Sequence, residues 1–219
     1  TINQELSISD RGEEISAINK VNTLRVKQGD KITVKQAIEA VIVKSFNEAA
    51  VTLAEAVSGN EWEFVRKMNS KARDLGMNFT SFRNSTGCHE EGQYTNTYDL
   101  ARLTIAIKKD FPQYYHFFAL KEFSYNNKSY KTHNNILLEY KGAEGMKTGY
   151  TKASGYNLIS LAKRNDEKLL SILVGCDTSK GRDKFAQDLF DKAFEESKKK
   201  YSTKVKLSNK FKYEEDEES

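Results

Sequence analysis

The chain is poor in sulfur, imidazole and proline: its 219 residues include two cysteines, three histidines, three methionines and a single proline. Cys88 and Cys176 are too few for a disulfide framework or a four-ligand zinc site. His89, His116 and His133 are scattered, which argues against a metal centre. No uninterrupted apolar run reaches the roughly 18 residues a membrane-spanning helix needs, and no secretory signal pattern opens the chain. The first residue is Thr1, not Met, which fits a processed or truncated product. Neither sign of charge dominates, with 35 Lys and Arg against 31 Asp and Glu. No basic block interleaved with aromatics precedes the tail, so no nucleic-acid partner is expected.

What is present suits a folded domain. Twelve Phe, eleven Tyr and one Trp exclude wholesale disorder, which goes with aromatic-poor chains. The length allows a sizeable core. Residues 1–200 read as one domain. Residues 201–219 read as a charged tail, with Lys204, Lys206, Lys210 and Lys212 followed by the acidic run from Glu214 to Glu218. That tail is either a solvated terminus or a spacer towards a membrane or partner.

The first thirty residues are polar and weakly patterned. Thr33 then caps a helix, with Gln36 at the capping-box position and Val34, Ala37, Ile38, Val41 and Ile42 on one face. After a break at Ser45-Phe46-Asn47, Ala50, Leu53, Ala54 and Val57 form a second helix, stopped by Gly59. Asn60 caps a third helix with Trp62, Val65, Met68, Ala72 and Leu75 inside, and Gly76 ends it. Residues 77–96 read as a long loop. A fourth helix starts at Thr97 with Leu100, Leu103 and Ile107 buried, and Pro112 lies just beyond its end.

The period then changes. Phe123 to Tyr125 and Ser129 to Lys131 read as short strands around Asn126-Asn127. Met146 to Thr151, Tyr156 to Lys163 and Leu169 to Gly175 are three longer strands, the last two forming a hairpin. A closing helix from Gly181 to about Lys200 carries Phe185, Leu189, Ala193 and Phe194 on one face. Helices, then antiparallel strands, then a helix define an α+β fold.

Two short motifs bear chemistry. Ser45-Phe46-Asn47 sits between two apolar helices, where Ser and Asn are also ordinary turn residues. Lys147-Thr148-Gly149 opens a strand, where a lysine beside a glycine can be a plain strand edge. Taken together they are the second and third of the three elements used by penicillin-recognising enzymes, Ser-x-x-Lys, Ser-x-Asn and Lys-Thr-Gly, in the right order and on the right kinds of local structure. Four separated blocks extend the match: AIEAVIVKSFNEAAVTLAEAVSG from Ala37, FVRKMNSKARDLGMNFTSFRN from Phe64, TNTYDLARL from Thr95 and GMKTGYTKASGYNL from Gly145. Over about residues 20–195 the chain resembles the serine-type D-alanyl-D-alanine carboxypeptidases among the low-molecular-mass penicillin-binding proteins.

The resemblance implies a β-lactamase/transpeptidase-like fold, a helical subdomain beside an antiparallel sheet with flanking helices. It implies removal of the terminal D-alanine from peptidoglycan stem peptides through a serine acyl-enzyme, without metal or cofactor. Ser45 then relays a proton to the leaving group, Asn47 hydrogen-bonds the substrate amide and Lys147 supplies positive potential. Thr148 bonds the substrate carboxylate, Gly149 admits the substrate backbone, and the Tyr150 amide is an oxyanion donor. Arg182 assists carboxylate binding, unless it is a plain surface arginine. The family is attached to the bacterial inner membrane facing the periplasm. β-Lactam antibiotics would be partners wherever the nucleophile is supplied, and membrane association would run through missing or C-terminal segments.

The family's first element is not found upstream of Ser45, so N-terminal truncation is expected. Ser160-x-x-Lys163 and Ser197-x-x-Lys200 are chance matches, the first because residues three apart on a strand face opposite ways. Phe46 replaces a small residue, and its side chain is expected to point away from the cleft. A class A β-lactamase fits poorly, since no Glu-containing deacylation loop of that pattern lies between Asn84 and Lys147. A non-catalytic module binding D-alanine-ended peptides or a partner protein is the alternative. Without the preceding segment, the strand from Leu169 should have an unpaired edge, and the helical faces around Val34–Ile42 and Ala50–Val57 should lack a packing partner.

Overall fold

The computed structural model describes the backbone of residues 1–18 and 22–215 and the side chains of residues 1–18 and 22–199. The side chains of the charged tail therefore lie outside the described residues.

The polar N-terminal stretch, to which the sequence reading assigned no element, folds. β1 (Glu5–Ser7) precedes α1 (Asp10–Ile18) and pairs antiparallel with β2 (Lys31–Thr33). The strands were too short to show a period, and α1 buries only Gly12 and Ser16, so it carries no apolar stripe. Leu6, Ile8, Leu24, Val26 and Ile32 from this stretch are buried against the helices that follow. They cover part of the faces expected to stand open, Val34, Ala37, Val41 and Leu53 among them, while Val57 stays exposed.

Those helices start as their caps dictate. At α2 (Val34–Lys44) the Gln36 amide donates to Thr33 Oγ1 at 3.1 Å, and the Thr33 amide donates to Gln36 Oε1 at 3.0 Å. α3 (Asn47–Ser58) contributes Ala49, Val51 and Ala54, each fully buried. α4 (Glu61–Asp74) is capped by Asn60, but Trp62 is 65% exposed and lies under the Arg66 guanidinium instead of inside. α5 (Thr97–Asp110) is capped by Asn96. Its buried Asp99 accepts from the Phe79 amide and the Thr80 hydroxyl, pinning the long loop.

A 3-10 helix at Pro112–Ala119 follows, which the sequence reading did not anticipate. β3 (Glu122–Tyr125) and β4 (Lys128–Lys131) form a hairpin across Asn126 and Asn127, both left-handed at φ 46° and 59°. After α6 (Asn135–Glu139), β5 (Ala143–Thr151), β6 (Gly155–Arg164) and β7 (Glu167–Cys176) make a three-stranded antiparallel sheet in that order. Among the described residues β5 and β7 are both edges. α7 (Ser179–Glu215) covers one face of the sheet and runs well past Lys200. Its buried stripe is Arg182, Ala186, Phe190 and Phe194, four apart, whereas Phe185 and Leu189 face outwards. Of the stripe assigned from sequence, Phe194 is buried and Ala193 partly covered, while Phe185 and Leu189 lie outside.

Candidate active site

Ser45 ends α2 in the left-handed conformation, φ 58° and ψ 41°, a state that is costly for a residue with a Cβ. Strain of this kind persists where the surroundings over-determine it. The reversal lets three adjacent side chains part company. Phe46 goes inwards, 2% exposed, edge-on to Phe123 and Tyr130 at 6.1 and 5.3 Å. It is core, as its bulk suggested. Asn47 opens α3 and donates through Nδ2 to Cys88 Sγ at 3.4 Å. Ser45 turns towards the sheet.

There it meets Lys147. The Lys147 ammonium donates to Ser45 Oγ and, at 2.9 Å, to the carbonyl of Thr148. The first contact joins motifs 102 residues apart in the chain. Lys147 is half-buried, and burial, with the nearby Arg182 cation second, pushes its pKa down to about 8. Thr148 is nearly covered, while Gly149 and the Tyr150 side chain are exposed further along the same edge. Tyr150 leans on Tyr156, ring centroids 4.4 Å apart.

Arg182 is not a surface arginine. It is 3% exposed; its Nε and Nη2 donate to Asp183 Oδ1 at 2.9 and 2.6 Å, and its Nη1 to the carbonyl of Asn157 at 3.1 Å. Its charge acts on Lys147, lowering that group's pKa.

Three neighbours escaped the sequence reading. His133, between β4 and α6, keeps contact with solvent but is crowded enough that burial, then Lys147, Lys44 and Arg182, push its pKa down to about 4. It is neutral at neutral pH. Lys44 immediately precedes Ser45 and adds a further cation. Cys88 lies beside Asn47 in a cavity of about 230 Å³ that α1 helps to wall. No motif marks any of the three; only the fold brings them in.

The first Ser-x-x-Lys match forms no nucleophile–base pair here. Ser160 is fully buried with its hydroxyl unpartnered, while Lys163 on the same strand is exposed. Ser197 is on α7, and the Lys200 side chain lies outside the described residues. Among the described residues no group of three or more His, Cys, Asp or Glu is placed to hold a metal ion.

A Ser-x-Asn turn between helices, faced by Lys-Thr-Gly on a sheet edge, defines a penicillin-recognising, transpeptidase-like domain. The chain belongs to the D-alanyl-D-alanine carboxypeptidase family, whose pattern it matches over residues 1–178. It is 34% identical over 165 residues to D-alanyl-D-alanine carboxypeptidase DacD of Escherichia coli, covering 75% of this chain and 42% of that protein. It is 34% identical over 198 residues to D-alanyl-D-alanine carboxypeptidase DacF of Bacillus subtilis, covering 87% and 50%. The chain therefore spans about half the length of these relatives. Penicillin binding protein 5 from Haemophilus influenzae superposes with a TM-score of 0.83 at 29% identity, over 88% of this chain and 56% of that one. The Streptomyces K15 DD-transpeptidase, 21% identical over 89% of this chain and 80% of that one, shares the fold with a TM-score of 0.82.

Proposed function

We propose that this chain carries the substrate-recognition half of a serine-type D-alanyl-D-alanine carboxypeptidase acting on peptidoglycan stem peptides. The observation that supports this most directly is the hydrogen bond from Lys147 to Ser45, which assembles two of the family's three elements into one cleft. In this reading the Lys147 cation attracts the terminal carboxylate of the peptide, with Thr148 beside it. Gly149 leaves the strand edge open to the substrate backbone, and the Tyr150 amide faces the carbonyl that develops negative charge. Ser45 and Asn47 serve the leaving D-alanine and the peptide amide. Arg182 contributes its field and not a direct contact. The nucleophile comes from a Ser-x-x-Lys segment, and with it supplied β-lactams become ligands. The protein works in the periplasm, attached to the inner membrane; no helix among the described residues is long and apolar enough to cross a membrane.

A second reading, recognition of D-alanine-ended peptides or of a partner protein without acylation, is favoured by the direction of the Lys147–Ser45 hydrogen bond, in which the ammonium donates and so is no base for the hydroxyl. Recognition of a D-alanine-ended peptide, with or without acylation, requires carboxylate recognition at Lys147. Titrating the labelled chain with a D-alanyl-D-alanine-ended tripeptide should move the amide signals of Ser45 and of residues 147–150. Lys147→Ala should weaken binding by about tenfold, the worth of one charge-assisted hydrogen bond. Equal response to the peptide amidated at its C-terminus would rule the assignment out.

A further inference from the structure

Asn157 stands directly opposite Gly149 in the β5–β6 pairing. It also sits at an irregularity on its other side, because Tyr156 pairs with Cys176 while Leu158 pairs with Leu173. Two residues of β7, Val174 and Gly175, therefore lie against one of β6, the arrangement of a β-bulge. A bulge leaves a main-chain amide without a ladder partner. Asn157 supplies it, its Oδ1 accepting from the Gly175 amide at 3.0 Å. Its Nδ2 donates to Ser154 Oγ and to the Gly155 carbonyl, both at 3.0 Å, which ties down the turn between β5 and β6. Its own carbonyl accepts from Arg182 Nη1 at 3.1 Å. One residue thus fixes the turn, the bulge and the start of α7.

Asp183 completes the arrangement. Its Oδ1 takes both Nε and Nη2 of Arg182, and its Oδ2 accepts from Asn135 Nδ2 at 3.1 Å. The ion pair is buried, with Arg182 3% and Asp183 5% exposed. A buried pair is no great source of stability, but breaking one side of it leaves an uncompensated charge. Here that charge is the one that acts on Lys147.

We propose that Asp183 and Asn157 are positioning residues for the Lys147-Thr148-Gly149 edge: Asp183 holds and partly neutralises the Arg182 guanidinium, and Asn157 both accepts that guanidinium on its carbonyl and fixes the strand against which Gly149 lies. The inference rests on the reading of that edge as the substrate-binding strand, though neither residue touches substrate.

Side-chain NMR titration of Lys147 in the labelled chain tests it without any peptide. Asp183→Asn keeps the shape and removes the charge, so the unscreened Arg182 should lower the Lys147 pKa by about half a unit or more. Asp183→Glu should restore it. Asn157→Asp keeps an acceptor for Gly175 but loses both donors, and should shift the amide signals of Gly149 and Tyr150 and weaken tripeptide binding several-fold. A Lys147 titration unchanged in Asp183→Asn, with Gly149 and Tyr150 unmoved in Asn157→Asp, would overturn the proposal. Should Asp183→Asn not fold, the Asn157→Asp shifts decide alone. If the native chain binds no tripeptide at all, the functional reading fails, while the Lys147 titration still judges the positioning role.

Discussion

Lys147 carries its ammonium half-buried and beside Arg182, and both circumstances favour loss of the proton. Its pKa is about 8 in the folded chain and near the ordinary 10.5 when unfolded. Between those values the unfolded chain holds more protons, so this group makes folding more favourable as pH rises from about 8 to 10.5. Below about 8 its destabilising effect is fully present. Recognition runs the other way. A neutral amine attracts no carboxylate, so tripeptide affinity should fall as pH passes 8 while the fold gains stability. Urea denaturation of the native chain and of Lys147→Met at pH 7 and pH 10 isolates the effect. Lys147→Met should be relatively more stable at pH 7, with the advantage shrinking at pH 10. A constant difference would mean that Lys147 titrates normally. His133 adds nothing to this window, since it is already neutral above about 4.

β7 keeps β6 on one side and, among the described residues, has no strand on the other. Val174 is 49% exposed there, and Phe185 and Leu189 of α7 also face outwards. An apolar edge with free main-chain groups invites another strand. The chain should therefore associate with rising concentration, and Val174→Lys should reduce this with little change in melting temperature. Light scattering after size exclusion at several concentrations checks both; a monomer throughout, or association untouched by the lysine, contradicts the edge as its cause. The strand after Leu169 was legible in the sequence, as were the capped helices at Thr33 and Asn60, because each has a local cause, whereas its open edge was expected from the family resemblance. What could not be read has causes far away in the chain. α1 is held by a polar face and a glycine whose Cβ would come within 2.9 Å of Ile8 Cγ2. The stripe on α7 is chosen by the sheet beneath it, which admits Phe190 and Phe194 and leaves Phe185 outside. In the site, Ser45, Asn47 and Lys147 announced themselves as motifs, whereas His133, Cys88 and Asp183 acquire their places only through tertiary contact.

At the scale of the whole molecule the site is a seam. Ser45 rides on the cluster built from the N-terminal stretch, α2, α3 and the β3–β4 hairpin, with Phe46 in its midst. Lys147 rides on the sheet, whose core is Leu158, Leu173, Ala162 and the aromatic face of α7. Neither cluster holds a nucleophile–base pair of its own. Across the seam the lysine is the donor and the Ser45 oxygen the acceptor, so at neutral pH the proton sits where it cannot help Ser45 to attack. Nucleophilic serine chemistry needs the reverse, a neutral base accepting from the hydroxyl. Incubation of this chain with a β-lactam at pH 7 should consequently add no mass in intact-protein spectrometry. The same experiment is informative on Ser160, which is buried away from solvent, and on Ser197, which lies on α7. A stoichiometric adduct localised to Ser45 would show that Lys147 itself can act as the base and that the seam is a complete catalytic pair.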